Sequence, residues 1–405
     1  MWNEPDIFFF AGRPEEYAAV LKAAYLGCTV GNPECEVLFG SLAMQAGTWV
    51  SRVFENGVAD YFDLFNMHYY GDVDGVLERI RANKALLERF RCRKPIWLTE
   101  MGVPANMGPD GTFTESERQQ AAYLVKSYAH ALSQGIDRFF FFYMAEFLEN
   151  AAALWGIVRS DLTPKPAYTA LAVLTSVLGE ARYVGRVDLG VPGSWGYLFH
   201  DGKRHVMVAW AGRTCTVEVE TSEGFQATDI MGRPIVTGAK DGRARVELTQ
   251  MPVYISGLAP RFVSRAKDEA PWPRRKPGSV PFTASRVWTA LEFVEPRGKP
   301  SVDQVLAERD AFVCREQTVQ MAVRMYNYTD KTVPVHVRLE VPDGWAVEGG
   351  DSAEVTVQAM GQERITFTVV RTGQAASKEG KVTAHASSPS YGKDIPPSVG
   401  YIRAE

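Results

Sequence analysis

Lys94-Pro95-Ile96-Trp97-Leu98-Thr99-Glu100-Met101-Gly102 is the stretch of sequence that decides the fold. A Lys-Pro break precedes a short apolar run of strand-forming residues, Glu100 stands near the end of that run, and a Gly-Val-Pro turn follows. A continuous apolar run of this length is typical of a parallel strand that is buried on both faces. Functional groups of parallel α/β proteins lie at the carboxyl ends of such strands. The stretch therefore predicts a parallel sheet in which Glu100 is either a functional carboxylate or simply an acid that ends a strand.

The first 180 residues alternate strand and helix patterns, as a parallel α/β architecture requires. Short apolar runs predict strands over 36–40, 62–69, 96–100 and 138–143. Apolar residues at helical spacing predict helices over 14–26, 48–56, 74–90, 114–133 and 167–178. Thr114-Glu115-Ser116-Glu117 has the form of a capping box at the start of the fourth helix. Each predicted strand is followed by a helix, and residues 2–4 are expected to end one further strand.

From residue 181 onward, apolar and polar residues alternate with a period of two, which predicts antiparallel strands. Residues 181–258 predict a small antiparallel β-sandwich, and the proline-rich segment 259–285 predicts an extended linker. Residues 286–405 predict an immunoglobulin-like β-sandwich, with Pro342-Asp343-Gly344-Trp345 as a turn that carries a tryptophan into the core. The predicted fold class is α/β plus all-β, with residues 1–180 as the first domain.

The composition argues against several classes of function. The chain of 405 residues carries 44 basic and 48 acidic side chains that are interspersed, so it offers no basic surface for nucleic acid. Its longest apolar runs are too short to cross a bilayer, and we expect no membrane span. The five cysteines form no Cys-x-x-Cys pair and the six histidines are dispersed, which argues against a zinc site or a metal-dependent hydrolase. We expect neither a metal nor a cofactor.

Two glutamates in distinctive settings carry a resemblance to a known group of enzymes. The segments are Trp2-Asn3-Glu4-Pro5, His68-Tyr69-Tyr70 at a predicted strand end, and the stretch that contains Glu100. Together they resemble the glycoside hydrolases of clan A, such as cellulases and β-xylosidases, and the similarity covers roughly residues 1–178. The resemblance implies a (β/α)8 TIM barrel that cleaves β-linked oligo- or polysaccharides with retention of configuration. Its acid/base would end strand four and its nucleophile would end strand seven.

The resemblance also implies a role for each candidate residue. Glu4 would be the acid/base and Glu100 the nucleophile, in an enzyme class that holds its two carboxyls about 5–5.5 Å apart. Asn3 would bind the sugar 2-hydroxyl, and Tyr70 would orient the nucleophile. Further substrate contacts would come from His68, Tyr143 and Trp155. These three also fit structural roles, as a core histidine, a barrel-core tyrosine and a loop-packing tryptophan.

The resemblance places the start of this chain at the tip of the fourth barrel strand. A complete barrel takes about 250 residues, so we expect only its C-terminal half here, in a sequence truncated on its N-terminal side. The open edge of such a sheet would expose unpaired backbone groups, which suggests self-association through that edge. We expect secretion or a cell-surface location if a signal peptide belongs to the full-length protein.

Two functions of different classes are compatible with these observations. The first is a retaining β-glycosidase that acts on oligo- or polysaccharides. The second is a non-catalytic carbohydrate-binding or cell-surface structural protein built on an incomplete barrel. The presence of both glutamates favours the first, and turnover of a glycoside distinguishes the two.

Overall fold

The structure, a computed structural model, describes residues 2–149, 153–268, 271–274, 282–294 and 308–405. Its helices are α1 Pro14–Gly31, α2 Thr48–Glu55, α3 Gly75–Arg89, α4 Thr114–Ser133, α5 Pro166–Leu178 and α6 Pro260–Val263. Its strands up to residue 258 are β1 Phe65–Tyr69, β2 Ile96–Met101, β3 Ala105–Asn106, β4 Arg138–Phe141, β5 Phe147–Glu149, β6 Ala153–Trp155, β7 Arg182–Arg186, β8 Ser194–His200, β9 His205–Ala211, β10 Cys215–Asp229, β11 Gly238–Lys240, β12 Arg243–Leu248 and β13 Val253–Leu258. The later strands are β14 Val287–Val294, β15 Phe312–Cys314, β16 Thr318–Asn327, β17 Val333–Glu340, β18 Trp345–Glu348, β19 Ser352–Val357, β20 Gly361–Arg371, β21 Gly380–Ser387 and β22 Ser398–Ala404.

The chain divides into two compact units. Unit 1 consists of Met1–Asn66, Ala82–Lys94 and Lys276–Glu405, and unit 2 consists of Met67–Arg81 and Pro95–Arg275. Strand β1 and helix α3 each contribute residues to both units. The protein is thus of mixed α/β class with several sheets, which confirms the coarse fold class expected from the sequence.

The helices of the α/β part are confirmed close to their predicted positions, but the start of α4 is not built as expected. The residue before the helix is Phe113, and it provides no side-chain cap. Ser116 instead accepts a hydrogen bond from the Asn106 N–H, and Glu117 pairs with Arg159. The predicted capping box is therefore wrong, because two of its side chains bind elsewhere.

The parallel strands form an open sheet in the order β1-β2-β4, and the described residues contain no closed barrel. All five residues of β1 are buried, as expected for a strand covered on both faces. The predicted strand 36–40 is wrong as a regular strand, since Leu38 forms only an isolated parallel bridge with Leu64, beside a hydrogen bond from the Phe39 N–H to the Leu64 carbonyl. The Val37 N–H donates to the Asp63 carboxylate and the Gly40 N–H to the Tyr17 hydroxyl, so these groups are not available to a strand ladder.

The antiparallel part of unit 2 is a seven-stranded sheet in the order β11-β12-β10-β13-β9-β8-β7. The long strand β10 pairs with β12 through its first half and with β13 through its second half, so the sheet bends around an apolar core. Tyr197, Phe199 and Val208 on the other face pack with residues of α4 and α5. Strands β8, β9 and β13 of this sheet are therefore covered on both faces, and they join the helical and antiparallel parts of unit 2 into one body.

The β-sandwich of unit 1 consists of a four-stranded sheet, β14-β16-β20-β18, and a five-stranded sheet, β15-β22-β21-β17-β19. Both sheets contribute to one core of largely aliphatic residues. Trp345 is 6% exposed within this core, which confirms the predicted role of the Pro342-Asp343-Gly344-Trp345 turn. That the sandwich is immunoglobulin-like stays a prediction.

Unit 1 packs this sandwich directly on helices from the start of the chain. The Asn56 side chain hydrogen-bonds both backbone groups of Val399, and the Tyr61 hydroxyl donates to the Ser285 carbonyl at 2.7 Å. Lys22 of α1 is 1% exposed and lies over the rings of Tyr61 and Trp288. The compact units therefore combine distant parts of the sequence, and the linear domain boundaries at 180, 258 and 285 stay predictions.

The segment 259–285 contains more structure than an extended linker in the part that is described. Phe262 of α6 is buried in the core of the bent sheet, and Lys267 exchanges backbone hydrogen bonds with Arg186. Trp272 is 8% exposed and lies against Gly135. Residues 269–270 and 275–281 of this segment lie outside the described residues.

Candidate active site

Glu100 lies at the end of β2, where the pairing with β4 becomes irregular. Leu98 pairs with Phe139 and Met101 pairs with Phe141, and the register shifts between them. Such irregularities re-aim side chains at the ends of strands. Ile96, Leu98 and Met101 are fully buried, whereas the Glu100 side chain is 27% exposed. The strand thus fixes the backbone of Glu100 firmly and leaves its carboxylate within reach of solvent.

Two side chains from the end of β1 hold one oxygen of this carboxylate. The Tyr70 hydroxyl donates to Glu100 Oε2 at 2.7 Å, and His68 Nδ1 lies 3.3 Å from the same oxygen. His68 Nε2 lies 3.0 Å from Thr99 Oγ1, and the histidine is 2% exposed. His68 is therefore both a hydrogen-bonded core residue and a contact of the carboxylate. The arrangement orients Glu100 through short polar contacts of a kind that position nucleophiles.

Aromatic rings surround the side chain of Tyr70. Its ring meets Trp155 edge-on at 5.5 Å and Phe142 edge-on at 5.8 Å. Trp155 is 9% exposed, and its indole N–H donates to the Glu149 carboxylate at 2.7 Å. The ring of Tyr143 stacks on Phe142 and meets Phe147. Of the two predicted aromatic residues, Trp155 is thus the one in contact with a partner of Glu100.

Gly102 allows this aromatic cluster to approach the strand. A Cβ at this position would collide with the Phe142 carbonyl oxygen and would lie 3.3 Å from the Trp155 ring. Backbone contact this close excludes any side chain. The glycine two residues after Glu100 is therefore required by packing.

Glu146 lies in a buried ion pair. Its Oε1 lies 2.9 Å from Lys165 Nζ, and the Lys165 side chain is fully buried. Burial alone would raise the pKa of Glu146, but hydrogen bonds from Lys165 and Ser160 outweigh it and lower this pKa. Loss of one partner from such a pair leaves an uncompensated buried charge. Glu146 is therefore a structural residue of the loop that follows β4.

Asn3 and Glu4 belong to unit 1, where they start a tight turn. Asn3 makes a parallel bridge with Ser41, and the Glu4 N–H donates to Ser41 Oγ at 3.3 Å. Glu4 has a φ of 41°, in the left-handed region that a residue with a side chain rarely adopts. Burial, and next the charge of Asp6, raise the pKa of the Glu4 carboxyl. A raised pKa keeps a carboxyl protonated at higher pH, as a general acid needs.

The structure thus brings four of the predicted residues together in unit 2, namely His68, Tyr70, Glu100 and Trp155. Asn3 and Glu4 are described within unit 1, and their pairing with Glu100 stays a prediction. Sequence reasoning missed Phe142 because it stands within a run of phenylalanines that looks like plain strand core. It also missed Asp6, although an acid two residues after Glu4 is a signal that could have identified it.

Comparisons with known proteins show what the chain resembles. Residues 1–166 match the family model described as glycosyl hydrolase catalytic core. A family 39 glycoside hydrolase from the gut symbiont Bacteroides cellulosilyticus WH2 is a structural neighbour with a TM-score of 0.51 and 20% identity, over 63% of this chain and 57% of that one. A GH51 arabinofuranosidase from Xanthomonas axonopodis pv. citri has a TM-score of 0.50 and 13% identity, over 63% of this chain and 65% of that one. A search of curated proteins finds no match.

At these identities the two neighbours indicate a shared fold, and this chain spans less than two thirds of the length of each. No helix in the described part of the chain is long and apolar enough to cross a membrane. The expected resemblance is confirmed: residues 1–166 are similar to the catalytic core of glycosyl hydrolases, and the enzyme class that they indicate is glycoside hydrolase.

Proposed function

We propose that this chain carries the two catalytic carboxylates of a retaining β-glycoside hydrolase, with Glu100 as the nucleophile and Glu4 as the acid/base. The observation that carries the proposal is the Glu100 carboxylate at a strand end, oriented through one oxygen by Tyr70 and His68. A nucleophile that must attack a single carbon benefits from being held in one geometry before the substrate arrives. The similarity of residues 1–166 to a glycosyl hydrolase catalytic core supports this chemistry.

The proposed reaction has two steps. In the first, a Glu100 oxygen bonds to the anomeric carbon, the glycosidic C–O bond breaks, and Glu4 gives its proton to the departing oxygen. In the second, water attacks the same carbon and releases Glu100, while Glu4 takes the proton from the water. The configuration inverts twice and is therefore retained. Such a double displacement requires the two carboxyls to lie about 5–5.5 Å apart.

The different surroundings of the two carboxyls support this division of roles. Glu4 is in a setting that raises its pKa, so it can carry a proton to the leaving group. Glu100 accepts a hydrogen bond from a tyrosine hydroxyl, which holds one of its oxygens in a fixed position, as a nucleophile needs. The proposal requires both acids to lie at the ends of parallel pairings: Glu4 follows the parallel bridge of Asn3 with Ser41, and Glu100 lies near the end of a parallel strand.

The proposed substrate is a β-linked oligo- or polysaccharide. Asn3 would bind the hydroxyl next to the anomeric carbon, where a hydrogen bond strengthens in the transition state. Trp155 is the proposed aromatic contact for the sugar because of its place beside Tyr70, and Tyr143 is the more remote candidate. An aromatic face suits the apolar face of a sugar ring, and the polar groups around it fix orientation.

The test is turnover of a panel of aryl β-glycosides of common pentoses and hexoses, followed in time by proton NMR. We expect hydrolysis of at least one of them, and the first sugar anomer to appear should be the β-anomer. Appearance of the α-anomer first would contradict the double displacement. Tight binding of an oligosaccharide without any turnover would instead support the non-catalytic carbohydrate-binding function.

A further inference from the structure

Arg309, which stands shortly before β15 in unit 1, binds the turn that carries Glu4. Its guanidinium donates to the Asp6 carbonyl at 2.6 Å and to the Pro5 carbonyl at 2.8 Å. The same group lies 5.1 Å from the centre of the Trp49 ring. A guanidinium presents its donors in a rigid planar fork, so two simultaneous contacts define the position of the backbone that it binds.

The opposite side of the turn is also held by specific contacts. The two carboxylate oxygens of Asp6 accept hydrogen bonds from the N–H groups of Ala43 and Met44, at 2.8 and 2.7 Å. Pro5 is buried against Gly40, where an added Cβ would lie 2.9 Å from the proline ring. Asp6 and Pro5 thus attach the turn to residues 40–44.

These contacts explain how Glu4 keeps an unfavourable backbone conformation. A residue with a side chain is strained in the left-handed region, and this conformation persists only where the surroundings determine it. Here the surroundings are the Ser41 hydroxyl at the Glu4 N–H, the Asp6 contacts and the two bonds from Arg309. The observed φ of 41° is therefore the result of several independent restraints.

Arg309 is itself fixed by a neighbouring contact. Arg52 of α2 donates to the Asp310 carbonyl and pairs with Glu379, and its guanidinium lies 3.7 Å from the centre of the Tyr401 ring. The backbone next to Arg309 is therefore attached to both a helix and the β-sandwich. The sandwich of unit 1 and the Glu4 turn are connected through these two arginines.

We propose that Arg309 is a positioning residue for the general acid of this enzyme, acting through the Pro5 and Asp6 carbonyls to aim the Glu4 carboxyl. The proposal rests on the function proposed above. It assigns to the C-terminal β-sandwich a part in catalysis, because the sandwich supplies the residue that holds the turn. Arg309 touches neither the sugar nor the reacting atoms in this proposal.

The test is the dependence of kcat/KM on the leaving group in Arg309→Gln. A phenol as acidic as 2,4-dinitrophenol departs with little help from a proton, whereas an alcohol such as methanol depends on it. General acids contribute about 10²–10⁴-fold. We therefore expect Arg309→Gln to lose roughly tenfold or more on the alkyl glycoside, and less than about twofold on the dinitrophenyl glycoside. Arg315→Gln is the matched control, since Arg315 is exposed and pairs with Glu308 and Glu405, and it should leave both rates unchanged.

Asp6→Ala is the second variant, and it should show the same selective loss because it removes both acceptors that anchor the other side of the turn. Equal losses on both substrates, or no loss in either variant, would overturn the positioning role. The Glu4→Ala variant separates this outcome from failure of the proposed function. If Glu4→Ala loses more kcat/KM on the alkyl glycoside than on the dinitrophenyl glycoside and Arg309→Gln does not, only the role of Arg309 is wrong. If Glu4→Ala itself lacks this dependence, the proposed acid/base is wrong as well.

Discussion

Replacing Glu100 by glutamine is expected to reduce kcat/KM on every substrate by a factor on the order of 10⁴ or more, the effect of removing a covalent nucleophile. Glutamine keeps the size of the side chain and can still contact the Tyr70 hydroxyl, but its neutral amide cannot form the ester to the sugar. The loss should be the same for good and poor leaving groups, because bond formation to the anomeric carbon is required for all of them. Steady-state kinetics on the aryl glycosides measure it.

Glu115→Gln is the control for this variant. Glu115 lies in the first turn of α4 with a side chain that is 73% exposed, and the same chemical change there should leave kcat/KM within about twofold, as for most surface substitutions. Circular dichroism and the thermal midpoint should match the parent for both variants. A Glu100→Gln protein that is folded and retains more than about a tenth of the parent rate would show that Glu100 is not the nucleophile.

The Glu4→Ala variant is expected to lose about 10²–10⁴-fold on substrates with poor leaving groups and far less on activated aryl glycosides. Without the acid, an alcohol must depart as an alkoxide, whereas an acidic phenol departs readily as its anion. Without the base, water attacks the glycosyl-enzyme slowly, so azide should accelerate turnover of the activated substrate and yield a β-glycosyl azide. Product analysis by mass spectrometry and NMR detects that azide directly.

The pH dependence of the Glu4 variant provides a second readout. Since burial and the Asp6 charge raise the pKa of Glu4, the acid form persists at higher pH, and activity should fall as pH rises through that pKa. This fall in activity at high pH, the basic limb of the pH–activity profile, should be present in the parent and absent in Glu4→Ala. Glu34→Ala is the control, because Glu34 is exposed in the same unit. A basic limb that persists unchanged in Glu4→Ala, with no azide product, would contradict the role of Glu4.

The secondary structure was predictable from the sequence wherever a local pattern of residues alone determines it. The helix from residue 114 to 133 and the strand that ends in Glu100 were predictable because their apolar spacing matches the burial that they adopt. The segment 36–40 was not, because the N–H groups of Val37 and Gly40 bind the Asp63 carboxylate and the Tyr17 hydroxyl, which are distant in sequence. The capping box failed for the same reason, since Ser116 and Glu117 bind partners outside the helix end.

In the candidate site, too, residues with a local sequence pattern were predictable and contacts between residues distant in sequence were not. His68, Tyr70 and Glu100 could be identified because each stands at a predicted strand end, and the structure places their polar atoms together. The role of Arg309 was not predictable, since nothing near it in sequence marks it as a partner of Pro5 and Asp6. Likewise, no pattern in the sequence indicates that the β-sandwich of unit 1 packs on α1 and α2. Such contacts depend on the tertiary fold alone.

The most direct measurement is the identity of the residue that carries the sugar during turnover. A 2-deoxy-2-fluoro glycosyl fluoride of the sugar that is hydrolysed reacts by losing fluoride, and the electron-withdrawing fluorine at C2 slows the release of the glycosyl-enzyme. Peptide mass spectrometry should then find one sugar, linked as an ester to Glu100, and the labelled protein should be inactive. A label on any other residue, or no label in a protein that turns over glycosides, would contradict the assignment of Glu100 as the nucleophile.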